Sequence, residues 1–248
     1  MMAKDVKHKK LGTITLDTGV NPNFLQSTLT QDISTLEALF DMIDNSIDAA
    51  RDSIMESNFE KDSFGLPSDY SGFRIKIRID KNSIRIVDNC RGISKATLEE
   101  STFQTGSSSS HSYGIGYYGI GLKRSLLKAG TQYSMLTDDG NTLYKSSFDN
   151  TSFGGHNGSL LTADEFISKG EKRTLFSVSN LRNEIKYDIG NEQWFLNAVK
   201  ELSIRYSIYI SKGLSISIQN VTLSLSNTIT HKVPKLRANT LVPPTFEE

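Results

Sequence analysis

The chain has 248 residues, 37% of them apolar, which suffices for one large core or two small ones. Its 28 basic and 28 acidic residues cancel, which excludes a global basic field drawing the whole molecule onto nucleic acid or an acidic membrane, although a neutral sum hides local asymmetry. The single cysteine, Cys90, excludes an internal disulfide framework and a cysteine-based zinc cluster, and no apolar run approaches the roughly 20 residues of a membrane span.

Residues 1–24 read as an N-terminal arm with a short basic start, "KDVKHKK". With no leader pattern and one cysteine, the expected compartment is reducing: cytoplasmic, or nuclear in a eukaryote. A helix is expected over 29–57, with Thr30, Asp32 or Ser34 as cap. At about 100° per residue, Leu36, Phe40, Ile43, Ile47, Ala50 and Ile54 share one side. Asp41, Asp44, Asn45 and Asp48 form a second, polar stripe, a pattern most often found on solvated faces.

After a polar loop over 57–72, "FRIKIRI" (73–79) and "SIRIVDN" (83–89) alternate apolar and polar residues around a turn-forming "DKN", which predicts a β-hairpin. A short helix over 95–103 leads into a Gly/Ser-rich stretch, and "IGLKRSLLKAG" predicts a helix stopped by Gly130. "TQYSMLT" and "TLYKSSF" flank "DDGN" as a second hairpin, and 174–181 reads as another strand. A long helix is expected over 191–210, where Trp194, Ala198, Leu202 and Tyr206 recur at helical spacing. "LSISIQ" and "VTLSLS" should pair around Asn220, and "VPKLRANTLVPPTFEE" has linker composition. Helices alternating with hairpin-linked strands predict an α+β sandwich, with helices on one face of a mixed, mostly antiparallel sheet.

Three short stretches carry chemistry. "GYYGIGLKRS" (116–125) sets Gly116, Gly119 and Gly121 before a helix with Lys123 in its first turn, an arrangement suited to phosphate and equally consistent with a glycine-rich turn. In "VDNCRGIS" (87–94), Asp88 at a strand end before Gly92 can accept from an exocyclic amine, or simply belong to a β-turn. Asn45 offers a hard amide oxygen suited to Mg²⁺.

In this order and spacing the three stretches resemble the nucleotide-binding boxes of the GHKL ATPases, the superfamily of gyrase B, the ninety-kilodalton heat-shock chaperones, MutL, MORC proteins and histidine-kinase catalytic domains. "DMIDNSIDAA" is similar to the helix motif, "DNCRGI" to D-x-G-x-G, and "GYYGIGLKRS" to the G-x-x-G-x-G-x-K form of MORC-like and related bacterial members. "GEKRTLFSVSNLR" resembles the strand whose Gly-Thr pair closes the adenine pocket, here Arg173-Thr174. The resemblance implies a Bergerat-type ATP-binding domain over 25–228, followed by a linker or the start of a transducer-like domain over 229–248.

The resemblance further implies ATP and Mg²⁺ as ligands. Asn45 would hold Mg²⁺, Asp88 would accept from the adenine amine with Thr174 bonding to it or to a bridging water, Ala49 and Ile93 would wall the base, and Gly92 would form the nucleotide-binding turn. Gly119, Ile120, Gly121 and Lys123 would hold the phosphates, and residues 106–118, with Gly106, Ser107, Gly116 and Tyr118, would form a lid over the nucleotide. Asp48 and Arg91 stand where relatives carry a structural ion pair. Asp41 takes the place of the general base, normally Glu, one methylene closer to the backbone, which implies slow hydrolysis or none. Cys90 replaces a turn glycine.

The function so implied is a slowly hydrolysing conformational switch that forms a homodimer, or engages a protein partner or a following domain, when ATP orders its lid. The alternative is an ATP sensor without turnover. A histidine-kinase-type domain ranks below both, because only His8 lies upstream of the helix motif as a phospho-acceptor. Nucleic acid is not indicated by the net charge, and no membrane association is expected.

Overall fold

The computed structural model describes residues 27–100, 102–103, 121–153 and 161–230. The first long element is helix α1, Thr35–Met55. Of the three candidate caps Ser34 is the one used. Its hydroxyl accepts from the Glu37 backbone N–H at 3.2 Å, and the Glu37 carboxylate accepts from the Ser34 N–H at 2.7 Å, a reciprocal capping box. The helix therefore starts after the expected residue 29, and residues 27–30 form a separate helical turn.

One mixed sheet of eight strands supports α1. Its central hairpin is β1, Arg74–Ile79, with β2, Ser83–Asp88, paired so that Ile77 faces Ile86. The short helix α2 (Lys95–Glu100) follows, and then helix α3, Gly121–Ala129, leads into the long hairpin β3 (Gly130–Asp139) and β4 (Thr142–Asp149). Strand β5 (Asp164–Ile167) flanks β4, and β6 (Lys172–Leu181) lies between β3 and β2. Gly130 does more than stop a helix: a Cβ there would meet the Ser179 carbonyl oxygen at 2.6 Å, so glycine lets β3 close onto β6.

Helices α4 (Asn183–Ile189), α5 (Glu192–Arg205) and α6 (Ser207–Ser211) precede β7 (Ser215–Asn220) and β8 (Leu225–Ile229). The strand order is β5-β4-β3-β6-β2-β1-β7-β8, antiparallel throughout except for the parallel pair β1–β7. This is the α+β sandwich expected from the sequence.

Two expectations shift. The helix expected over 191–210 is two helices, broken at Tyr206, whose backbone (φ −101°, ψ 14°) leaves helical geometry while its side chain stays buried. Strand β8 begins at Leu225 rather than 221, because Asn220 accepts from the Leu223 N–H at 3.1 Å and turns the chain first. Strand β5 and helix α4 carried too short a pattern to be foreseen.

The core is the apolar side of α1 (Leu39, Ile43, Ile47, Ala50) on the inward isoleucines of β1, β2 and β7. The polar side of α1 is not a solvated face either. Asp44, Ser46, Asp48 and Arg51 are all buried. Asp44 accepts from the Tyr206 hydroxyl at 2.8 Å and from Arg205 at 2.9 Å, and the Arg205 guanidinium lies 4.6 Å from the Phe40 ring centroid. Asp48 accepts from Arg51 at 2.7 Å.

Burial holds the Asp44 carboxyl above its ordinary range, against the bonds from Tyr206 and Arg205. With the folded value above the unfolded one, Asp44 favours the fold at low pH and loses that contribution as pH rises through the folded value. Tyr206→Phe, which removes a donor to the charged form, is therefore expected to cost about 1–3 kcal/mol at neutral pH. The cost should shrink on acidification as Asp44 protonates. Urea unfolding of both proteins at several pH values checks this, and a cost near zero at neutral pH would count against the Asp44–Tyr206 bond.

Candidate functional site

Strand β2 ends on Asp88, 5% exposed. One carboxylate oxygen accepts from the Ser46 hydroxyl at 2.8 Å, the other from the Cys90 backbone N–H at 3.0 Å. Desolvation raises the pKa of this carboxyl, and those two bonds, with a backbone bond from Thr174, pull it back. These bonds hold the carboxylate in place at the end of β2. Thr174 lies opposite Asp88 in the β2–β6 register, and its hydroxyl meets that of Thr137 at 3.1 Å. The Thr137 hydroxyl oxygen in turn accepts from the Ile93 N–H at 2.8 Å, so the turn after β2 is fastened to β3.

That turn depends on Gly92. Its φ is +73°, and a Cβ would lie 2.0 Å from the Asp138 carbonyl oxygen, so both conformation and space demand glycine. Cys90, where the family resemblance leads one to expect glycine, is accommodated differently: its side chain is buried, and the thiol donates to the Ser46 carbonyl at 3.3 Å. Burial pushes the thiol pKa up, so Cys90 is an inert filler. Ala49 and Ile93 are half-buried at the edge of this network.

A second cluster lies one turn earlier on α1. The exposed Asn45 donates its amide nitrogen to the Asp41 carbonyl at 2.5 Å. Its amide oxygen is then the group available to a cation. No cluster of three or more His, Cys, Asp or Glu suited to a metal occurs among the described residues. One protein oxygen fits Mg²⁺, which is commonly held by one or two protein groups with phosphates and water completing the shell.

Asp41 is engaged by a residue the sequence did not single out. Arg124, in the first turn of α3, donates from Nε to one oxygen at 2.6 Å and from Nη2 to the other at 3.0 Å, a bidentate fork. The carboxylate also lies against the start of α3, 3.6 Å from where a Cβ on Gly121 would be. Donation to Asp41 holds the Arg124 guanidinium pKa above its ordinary value. Lys123, expected on the phosphates, is 7% exposed, with its ammonium 5.4 Å from the Phe153 ring centroid and its pKa lowered by burial.

The structure thus joins Asp88, Gly92, Ile93 and Thr174 in one network, and Asp41, Asn45 and Gly121 around one helix end. Gly106, Ser107, Gly116, Tyr118, Gly119 and Ile120 lie outside the described residues. The expected Asp48–Arg91 pair is replaced. Asp48 is bound by Arg51 three residues on, and Arg91 Nη1 lies 3.5 Å from Asp52 and 3.1 Å from Glu56. Asp52 and Glu56 lie on the turns after Asp48, where the longer reach from the β2 turn ends. Ser46, Thr137 and Arg124 were missed. Ser46 and Arg124 are the immediate neighbours of Asn45 and Lys123, and Thr137 gave no sequence signal, since only strand pairing brings it to Thr174.

Comparison with known proteins agrees with this geometry. The family model for histidine kinase-, DNA gyrase B-, and HSP90-like ATPases matches residues 33–176, more than half of the chain. A solved structure titled "Crystal Structure of N terminal domain of a DNA repair protein" is 18% identical with a TM-score of 0.50, a likeness of fold. The match covers 86% of this chain and 56% of that one, so the chain spans little more than half the length of this relative. No curated protein matches the chain. The match runs from the residue before the α1 cap to the strand carrying Thr174 and takes in both clusters: the chain belongs to the histidine kinase-, DNA gyrase B- and HSP90-like ATPase family, the GHKL superfamily.

Proposed function

We propose that this chain is an ATP-binding conformational switch that hydrolyses its nucleotide slowly. The observation that carries the reading is the buried Asp88 carboxylate, fixed by Ser46 and the Cys90 N–H at the end of β2. A rigid acceptor in a dry site recognises a donor such as the adenine amine far better than one in water would. Half-buried Ala49 and Ile93 supply apolar walls for the base.

At the other end, the N-terminus of α3 at Gly121 offers backbone N–H groups to phosphate oxygens. Asn45 would hold Mg²⁺ through its amide oxygen, the metal neutralising phosphate charge when bound. Asp41 lies beside the same helix end and would take the proton of the attacking water. Its two oxygens are both occupied by Arg124, so an attacking water reaches them only after the fork opens, which supports slow turnover. The same fork favours a second reading, a nucleotide sensor without turnover. Recruitment of a second copy or another partner by the ATP-bound form extends the proposal on the strength of the family.

Three outcomes are expected. Asp88→Asn should weaken ATP binding at least tenfold, because the lost charge-assisted bond is worth about 1.5–3 kcal/mol. Its folded stability at neutral pH should match or exceed wild type, since removing a carboxylate whose folded pKa is raised removes a buried charge. That advantage should vanish as pH falls through the raised value. Calorimetry and urea unfolding read both, and unchanged ATP affinity would remove Asp88 from the site.

Asn45→Ala should abolish the gain in ATP affinity on adding Mg²⁺. A metal response equal to wild type, again by calorimetry, would place the metal elsewhere.

Phosphate release separates the two readings. Slow release by wild type, lost in Asp41→Ala with ATP still bound, supports the switch, whereas no release by wild type or by Asp41→Glu supports the sensor.

A further inference from the structure

The face of the sheet turned away from the helices carries an unbalanced charge. On β1 the inward positions are Ile75, Ile77 and Ile79, and the outward ones are Arg74, Lys76 and Arg78, all exposed. Exposed Arg85 on β2 pairs directly opposite Arg78. Like charges facing across a ladder cost stability unless something of opposite sign is shared between them. None of the four forms an ion pair with a carboxylate among the described residues. Asp80 at the hairpin tip is the nearby acid, and the Arg85 charge helps hold its carboxyl below the ordinary range.

Around this strip the face is neutral and rich in hydroxyl and amide groups. Arg74, Lys76 and Arg78 lie in register with Ser215, Ser217 and Gln219 of β7, and beyond these stand Thr228 and Ser226 of β8. On the other side Arg85 adjoins Ser177 of β6, and Lys76 is followed across the sheet by Val87 and Leu175. Acidic side chains in these outward rows first appear on β3, as buried Asp138 opposite Arg173, and then on β4 and β5, as Asp149 opposite Gln132 and Asp164 opposite Lys145.

We propose that this face docks the sugar–phosphate backbone of a nucleic-acid duplex, independently of the nucleotide site. Alternate residues of a strand stand about 6.6 Å apart, so Arg74, Lys76 and Arg78 form a row of cations matched to a repeating polyanion rather than to one phosphate. Three of the four cations are arginines, whose planar forks bind phosphate oxygens bidentately. The flanking Ser, Thr and Gln side chains are donors of the kind that contact phosphate and sugar. An acidic peptide has no strand edge to join here, because β1 and β2 are each paired on both sides. Strands β1, β2 and β7 carry no aromatic residue, so no stacking platform for unpaired bases exists on them, and a duplex is favoured over a single strand.

The test uses the full chain and a fluorescently labelled random-sequence DNA duplex of about 25 base pairs, followed by anisotropy between 50 and 200 mM salt. Wild type should bind with an affinity that falls steeply with salt. The triple variant Arg74→Gln, Lys76→Gln, Arg78→Gln should bind at least tenfold more weakly at the lowest salt, with a log–log salt slope smaller by about 3. Arg85→Gln alone should reduce the slope by about 1, and Lys169→Gln with Lys200→Gln, exposed lysines elsewhere, should leave it unchanged. Equal urea midpoints confirm that the variants are folded. No salt-dependent binding by wild type, a triple variant that binds like wild type, or displacement of the duplex by polyglutamate at equal charge concentration would each overturn the proposal.

Discussion

The constraint on which the structure depends is the burial of both sides of α1. A helix with an apolar stripe on the sheet and a carboxylate-rich stripe in solvent needs nothing further. Here the carboxylate side is enclosed as well, and a buried charge is costly unless it is paired and hydrogen-bonded. Each acid of the stripe therefore takes a partner: Arg124 of α3 for Asp41, Arg205 and Tyr206 at the end of α5 for Asp44, and Arg51 of α1 itself for Asp48. The pairing fixes where α3 and α5 stand relative to α1.

From that arrangement the two halves of the proposed nucleotide site follow. Successive residues of one helix serve different ends: Asn45 is exposed and bonded to the Asp41 carbonyl, while Ser46 turns inward and orients Asp88. The end proposed for adenine is held firmly, because Asp88 is bonded to Ser46, Thr137 to Thr174 and Ile93, and Gly92 is pressed against the Asp138 carbonyl. The end proposed for phosphate has an ion pair that a polyanionic ligand can compete for, since Arg124 is a donor to carboxylate and phosphate alike. A firmly held recognition end beside an ion pair that can exchange partners is what the proposed nucleotide-dependent switch requires.

Much of this was legible in the sequence for a physical reason. Period-2 alternation and tight turn residues fixed the hairpins β1–β2 and β3–β4, and the order of Asn45, Asp88 and the glycine-rich stretch pointed to the superfamily. What escaped were properties that only packing creates. Periodicity separates two stripes on α1 but cannot say that the polar one is enclosed, since this depends on α3 and α5 arriving from distant parts of the chain. Arg91 was assigned to Asp48 by position, and Asp48 instead took the nearer Arg51. Tyr206 fits a continuous helical pattern, yet the helix breaks there while the phenol reaches Asp44. The neutral net charge concealed the basic row on β1 because the compensating acids lie on other surfaces.

The central claim is that Asp88 reads the adenine amine, and the most direct measurement leaves the protein untouched and changes one group on the ligand. Inosine triphosphate carries a carbonyl oxygen where ATP carries the amine, so a carboxylate acceptor facing it meets repulsion instead of a bond. Calorimetric titration of the wild-type chain with ATP and with inosine triphosphate, under the same Mg²⁺ concentration, should show the inosine nucleotide binding at least tenfold more weakly. Equal affinity for the two would contradict recognition of the base by Asp88.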